Sequence, residues 1–235
     1  PLGLGAAVGE SVAMKQLRAA GLVLAALLGL SGCGSDPVVK DDPFLLSLKA
    51  VREAAQRRAR GEAAAPAPTR AMVDQVQVPL IWASLESRGV SGALVPIGQN
   101  GADTTWATAD QIAVIMRGGV VRGTRGLGED LMSAAIPGES PLRQGGSVTQ
   151  REYFHLDGDD QTVRRKFSCE IHERDAASLV IVEKRYQTRH FEERCSGESG
   201  GFTNDYWFLA DGRMIQSRQW ISQSVGFMKL QRLKQ

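Results

Sequence analysis

A mainly β fold is predicted for this chain: an antiparallel meander forming a curved sheet, sandwich or open barrel, with one N-terminal helix. Three observations predict it. From Val76 onward, short runs rich in valine, isoleucine, threonine and aromatics are separated by glycine and aspartate turns, the pattern of antiparallel strands. Asp211-Gly212 stands between two such runs, and this dipeptide favours tight hairpins. Helical periodicity shows instead in residues 44–60, where Phe44, Leu45, Leu48, Val51 and Ala55 recur on one face and Arg52, Gln56 and Arg60 on another.

Residues 1–32 lie outside the fold. Met14 precedes Lys15 and Arg18, an apolar run follows from Leu22 to Leu30, and Leu30-Ser31-Gly32 leads into Cys33. This is the order of a bacterial lipoprotein signal starting at Met14, with Pro1 to Ala13 upstream of it and the mature chain beginning at a lipidated Cys33. The apolar run is far shorter than the ~20 residues a membrane-spanning helix needs. Gly34 and Ser35 follow the cysteine without an aspartate, as in lipoproteins passed on to the outer membrane. The expected location is its periplasmic face, held by lipid chains that each bury methylenes at about 0.8 kcal/mol apiece.

Residues 33–71 then read as the lipidated cysteine, a tether rich in turn residues, the short helix 44–60 and an alanine-rich linker broken by Pro66 and Pro68. The body, 72–235, divides into expected strands at 78–86, 92–97, 104–107, 111–117, 120–124, 149–156, 162–172, 178–190, 203–209, 213–222 and 227–233. Between the fifth and sixth of these, Pro137, Gly138, Pro141, Gly145 and Gly146 make an irregular stretch. It is the candidate boundary, near 133–147, between two β lobes.

The formal charge is +2 over 235 residues, so no charge excess recruits nucleic acid. With Cys33 assigned to lipid, Cys169 and Cys195 remain in a compartment that oxidises thiols, and a disulfide between them is expected. Closing that loop is worth roughly 3 kcal/mol.

No catalytic motif is coherent. Gly197-Glu198-Ser199-Gly200-Gly201 has nucleophile-elbow spacing, yet His155, His172 and His190 all precede Ser199 closely and no histidine follows it. Neither the chymotrypsin-type order His, Asp, Ser nor the hydrolase order Ser, Asp, His fits, so a glycine-rich hairpin is expected there. The glycines from Gly118 to Gly128 lack the lysine followed by serine or threonine that closes a phosphate loop. They read as bends and turns. Asp157, Asp159 and Asp160 depart from calcium-loop spacing, and the three histidines lie on separate strands. No metal and no cofactor are expected.

Aromatics carry the candidate binding chemistry. In Tyr206-Trp207-Phe208 the neighbours must point to opposite sheet faces, so at least one lies in a second apolar layer or faces a partner. Trp106, Trp207, Arg218 and Trp220 are the candidates for glycan or partner contact.

Two stretches carry a family resemblance. The first is Trp106-Ala107-Thr108-Ala109-Asp110-Gln111-Ile112, running on to Gly119-Val120-Val121-Arg122-Gly123-Thr124-Arg125-Gly126-Leu127-Gly128-Glu129-Asp130-Leu131. The second is Tyr206-Trp207-Phe208 with Asp211-Gly212-Arg213-Met214-Ile215-Gln216-Ser217-Arg218-Gln219-Trp220. With the lipidation signal they resemble the YjbF/GfcB (YmcC-like) family of group 4 capsule and exopolysaccharide lipoproteins. The resemblance implies a mainly β periplasmic domain tethered to the outer membrane, serving secretion or assembly of a surface polysaccharide beside a β-barrel outer-membrane partner.

The expected function is therefore a non-enzymatic accessory factor that binds a partner protein or the polysaccharide. Two alternatives stand beside it. A polysaccharide-modifying hydrolase would need two carboxylates about 5 to 10 Å apart in one cleft, for which Glu152, Asp157 and Glu170 are available. A LolA-like carrier of lipid or lipoprotein would enclose a large apolar cavity.

Overall fold

The computed structural model describes residues 67–159 and 161–235. The expected signal, Cys33, the tether and the helix 44–60 lie outside the described residues. Within them twelve strands form one antiparallel sheet: β1 Leu80–Leu85, β2 Val90–Asn100, β3 Asp103–Ala107, β4 Ala113–Arg117, β5 Val120–Arg125, β6 Ser133–Ala135, β7 Val148–Leu156, β8 Thr162–Ile181, β9 Lys184–Gly197, β10 Gly200–Phe208, β11 Met214–Ser222 and β12 Gly226–Lys234. Two short α-helices, α1 Arg70–Gln75 and α2 Glu139–Leu142, and one 3-10 turn, Glu86–Arg88, complete the described elements.

Strands that follow each other in sequence are neighbours in space, except that β1 pairs with β12 and the link from β5 to β6 joins the two edges of the sheet. The edges meet there. The Thr124 amide donates to the Leu131 carbonyl at 2.8 Å and the Met132 amide to the Phe154 carbonyl at 2.8 Å, so the sheet is a nearly closed barrel. Asp130 organises this seam, accepting from the Gly126 and Leu127 amides and the Thr124 hydroxyl at 2.8 to 3.1 Å. The mainly β expectation thus holds, and the proline- and glycine-rich stretch near 133–147 links strands of one continuous sheet.

Alternation sorts the core. Ile81, Leu94, Trp106, Met116, Tyr153, Phe167 and Leu230 pack in one interior cluster, and Phe191, Tyr206, Phe208 and Met214 in a second, which α2 plugs with the fully buried Leu142. The strand positions between them point outward, where Leu80, Val95, Ile215 and Leu233 meet Val73 of α1 and Ile181 of β8 in a third cluster. Trp207, partly buried, packs against this outer layer, the first of the two outcomes open to an aromatic that points away from its neighbours Tyr206 and Phe208.

The structure corrects two expectations. Strand β8 does not end near residue 172 but continues to Ile181, with only a bulge between Arg174 and Ala177. The polar run Glu173-Arg174-Asp175 imitates a turn, whereas the actual turn is Val182-Glu183, both at positive φ (45° and 66°). A β-branched residue there is strained, and no local signal marks it. Tertiary contacts hold it: the Arg70 guanidinium donates to the Ile181 and Val182 carbonyls at 3.1 to 3.3 Å, and Val182 packs in the outer cluster. Arg70 belongs to α1, the second correction, since the linker was expected to run through Thr69 into the body without a helix. Thr69 instead caps α1, its hydroxyl accepting from the Met72 amide at 3.4 Å.

Candidate functional site

The barrel interior holds a charged network. Arg151 continues the inward phase of Tyr153 and His155 on β7, and Glu193 that of Phe191 and Cys195 on β9. Arg151 donates from Nε to Glu193 Oε1 (2.8 Å), from Nη2 to the Tyr206 hydroxyl (2.7 Å) and from Nη1 to the Tyr153 hydroxyl (3.0 Å). Tyr206 and Asn204 Nδ2 both donate to Glu193 Oε2 at 2.9 Å, and Arg151 Nη2 lies 2.7 Å from the same oxygen. Both charged side chains are fully buried. Burial alone would lower the arginine pKa, but the Glu193 carboxylate and the two phenols hold it well above its ordinary value. Burial keeps Tyr206 protonated, its pKa well above the usual phenol value. Every strong donor and acceptor is matched, so the network is structural cement rather than a reactive centre.

Beside it, Cys169 and Cys195 stand directly opposite each other on β8 and β9 with Cα atoms 4.0 Å apart and form a disulfide. The two sulfurs and a Glu193 oxygen lie within 4.8 Å of one another. That trio offers no metal site: the sulfurs are bonded together and the carboxylate is committed to Arg151, Tyr206 and Asn204.

His155 is also buried. Its Nε2 contacts the Ile221 carbonyl at 2.9 Å, so Nε2 carries the proton, and Nδ1 accepts from Arg165 at 2.9 Å. Burial holds its pKa below the ordinary 6.5, and the Arg165 charge acts in the same direction against the Ile221 carbonyl and Glu129. The sign follows from linkage: between the folded and unfolded pKa values the unfolded chain binds more protons, so stability rises with pH. The contribution is complete above 6.5 and is lost as pH falls below it. Denaturant midpoints measured from pH 8 to pH 5 are expected to drop in the parent chain and to drop less in His155→Gln; equal slopes would contradict this role.

The other candidate residues do not assemble a catalytic cleft. Glu152 pairs across the β7–β8 ladder with Lys166, and Glu170 with Val148, which separates the two glutamates by four residue steps, about 13 Å along the strands. Asp157 lies in the β7–β8 turn, accepting from the Asp159 and Gln161 amides. Glu198 and Ser199 form the turn of the β9–β10 hairpin, flanked by the paired Gly197 and Gly200, the hairpin expected there. Gly197 has no room for a side chain, because a Cβ would fall on the Lys166 carbonyl oxygen.

What the barrel presents outward is different. Directly opposed residues share a face, so the register from β9 to β12 sets out two parallel rows: Glu192, Asp205, Arg218 and Lys229, and beside it His190, Trp207, Gln216 and Gln231. His190 stacks on Trp207 with centroids 4.5 Å apart and planes 3° from parallel, and its Nε2 lies 2.8 Å from Asp205 Oδ1. Arg218 is held by Glu86 at 2.8 to 3.0 Å and covers the Phe227 ring at 3.5 Å. His190, Trp207, Asp205 and Arg218 are partly exposed and fixed by these contacts, whereas Gln216 is buried and bonds Gln231 at 2.7 Å; neighbours along each row are one strand spacing, about 4.8 Å, apart. Rigid aromatics beside oriented donors and acceptors suit a polar, ring-bearing ligand or a protein partner.

Of the residues expected to make contact, Trp207 and Arg218 lie on this face. Trp106 is 6% exposed and sits in the interior cluster. Trp220, half-buried, stacks on Phe202 at 4.8 Å and on Tyr153 at 5.7 Å at the rim of the core. His190 and Asp205 complete the face and were not among the expected contact residues. Alternation in phase with Trp207 was the available signal for Asp205, whereas His190 joins the face only through the pairing of β9 with β10.

Comparison with known proteins adds three findings. The model of one protein family, described as "Group 4 capsule polysaccharide lipoprotein gfcB, YjbF", matches residues 45–233. Among curated proteins, none matches the chain. The crystal structure of the hypothetical lipoprotein YmcC from Escherichia coli (K12) is similar in fold, with a TM-score of 0.66 at 18% identity over 86% of this chain and 98% of that one.

Proposed function

We propose a role that proceeds from one premise: the chain belongs to the YjbF family of group 4 capsule polysaccharide lipoproteins. In that role it is a non-enzymatic accessory factor of capsule or exopolysaccharide secretion. A lipid on Cys33 holds it at the periplasmic face of the outer membrane, and it acts by binding the polysaccharide or a β-barrel outer-membrane protein beside it. The family match carries the reading. The paired rows of β9 to β12 supply a surface of the right chemistry, with Trp207 and Arg218 as contact residues.

The two alternatives have less support. The carboxylates available to a hydrolase lie on separate parts of the β7–β8 ladder, and the buried Glu193 has no access to substrate. For a lipid carrier, the cavity beside Met116 and Met214 measures about 20 Å³, room for about one water and not for an acyl chain.

Complementation of a deletion strain tests the reading. The parent gene is expected to restore surface polysaccharide, while Cys33→Ala and the double variant Trp207→Ala, Arg218→Ala restore little of it at equal protein levels. Full restoration by both would overturn the anchored, face-dependent role.

A further inference from the structure

On β12 the inward positions are Met228, Leu230 and then Arg232, which pairs in register with the buried Ile81 of β1. An arginine thus points into one end of the barrel. It lines the cavity of about 20 Å³ together with Ile81, Met116, Gly119, Met214 and Ser217. Among the described residues its guanidinium makes no hydrogen bond and no ion pair, in contrast to Arg151, whose three nitrogens are all matched.

Among the described residues no surrounding charge pairs with it directly. Glu139 attracts it through space, but the Glu139 carboxylate is engaged by the Gly119 amide at 2.6 Å. Arg213 repels it and is itself paired with Asp211 at 2.6 Å. Desolvation, the largest influence, holds the Arg232 pKa below the ordinary value. A half-buried guanidinium without a partner carries a standing cost that an oxyanion would relieve, since arginine meets carboxylate and phosphate groups with paired donors.

We propose that Arg232 forms an anion-binding site at this end of the barrel, taking a single carboxylate or phosphate group of an acidic saccharide at the cavity mouth. The cavity admits oxygen atoms and not a sugar ring, so the ring stays outside and the charged substituent is what is read. Naming a saccharide rests on the proposed function. The anion site itself rests on the placement of Arg232 alone.

The test is equilibrium binding to the full chain at constant ionic strength, using sodium glucuronate, inorganic phosphate and glucose as probes, with Arg232→Gln and Arg232→Lys as variants. The expected result is binding of both anions but not of glucose, weakened about tenfold or more in Arg232→Gln and less in Arg232→Lys. Glucuronate bound more tightly than phosphate points to an acidic sugar, and the reverse to a phosphorylated one. The unliganded Arg232→Gln protein should melt no lower than the parent. Equal anion binding by parent and Arg232→Gln, no anion binding by the parent, or unfolding of Arg232→Gln would each overturn the site. None of these results depends on whether the protein serves polysaccharide export.

Discussion

Glu193→Gln, with Arg151 left in place, is expected to lower the stability of the barrel by about 3–5 kcal/mol. The cost does not come from losing a favourable pair as such. A buried ion pair offsets its own desolvation only when both partners are present, and removing one leaves a charge in the interior with nothing to balance it. Here the stranded charge would be Arg151, fully buried beside Tyr153 and Tyr206. Arg151→Met should cost a similar amount for the mirror-image reason. Replacing both, Arg151→Met with Glu193→Gln, should cost well under the sum of the two single changes, because no buried charge remains. Urea midpoints on all four proteins give this comparison directly, and additive losses would mean that the two side chains are not coupled as described.

The second large effect is expected from the disulfide. Cys169 and Cys195 are 26 residues apart, and opening that link releases loop entropy in the unfolded chain worth about 3 kcal/mol. The bond ties β8 to β9, the strand that carries Glu193 and the first residues of the two outward rows, Glu192 and His190. Cys169→Ala with Cys195→Ala should therefore unfold at lower denaturant while leaving the outer face of the folded protein unchanged. Thermal or urea unfolding of the double variant against the parent measures it, and a midpoint shift within error would contradict the assignment of the bond as a stabilising cross-link.

Much of the architecture is legible in the residues. Alternation placed most strands within a few positions of where they lie, and Asp211-Gly212 marked its turn because the dipeptide adopts positive φ cheaply. The geometry of neighbouring aromatics in Tyr206-Trp207-Phe208 left two outcomes, a second apolar layer or a contact face, and packing puts Trp207 in the outer layer. What stayed hidden was set by distant contacts. The Val182-Glu183 turn is fixed by Arg70, over a hundred residues earlier in the chain, and no turn residue announces it. Arg151 and Glu193 occupy inward positions that alternation assigns to the core, so the signal existed, but only their pairing across the barrel, with Tyr153, Asn204 and Tyr206, makes such charges tolerable. Closure of the sheet at β5 and β6 is likewise a property of twist and register summed over twelve strands. Trp106 looked like a contact residue because large aromatics serve both roles, and packing alone separates them.

Affinity capture of the intact lipoprotein from detergent-solubilised outer membrane, beside a Cys33→Ala control, tests the central claim most directly. A β-barrel outer-membrane protein or the surface polysaccharide should be retained by the parent and lost from the control, with the glycan chains undegraded. Retention of neither, with lipid in their place, or release of shortened glycan would contradict it.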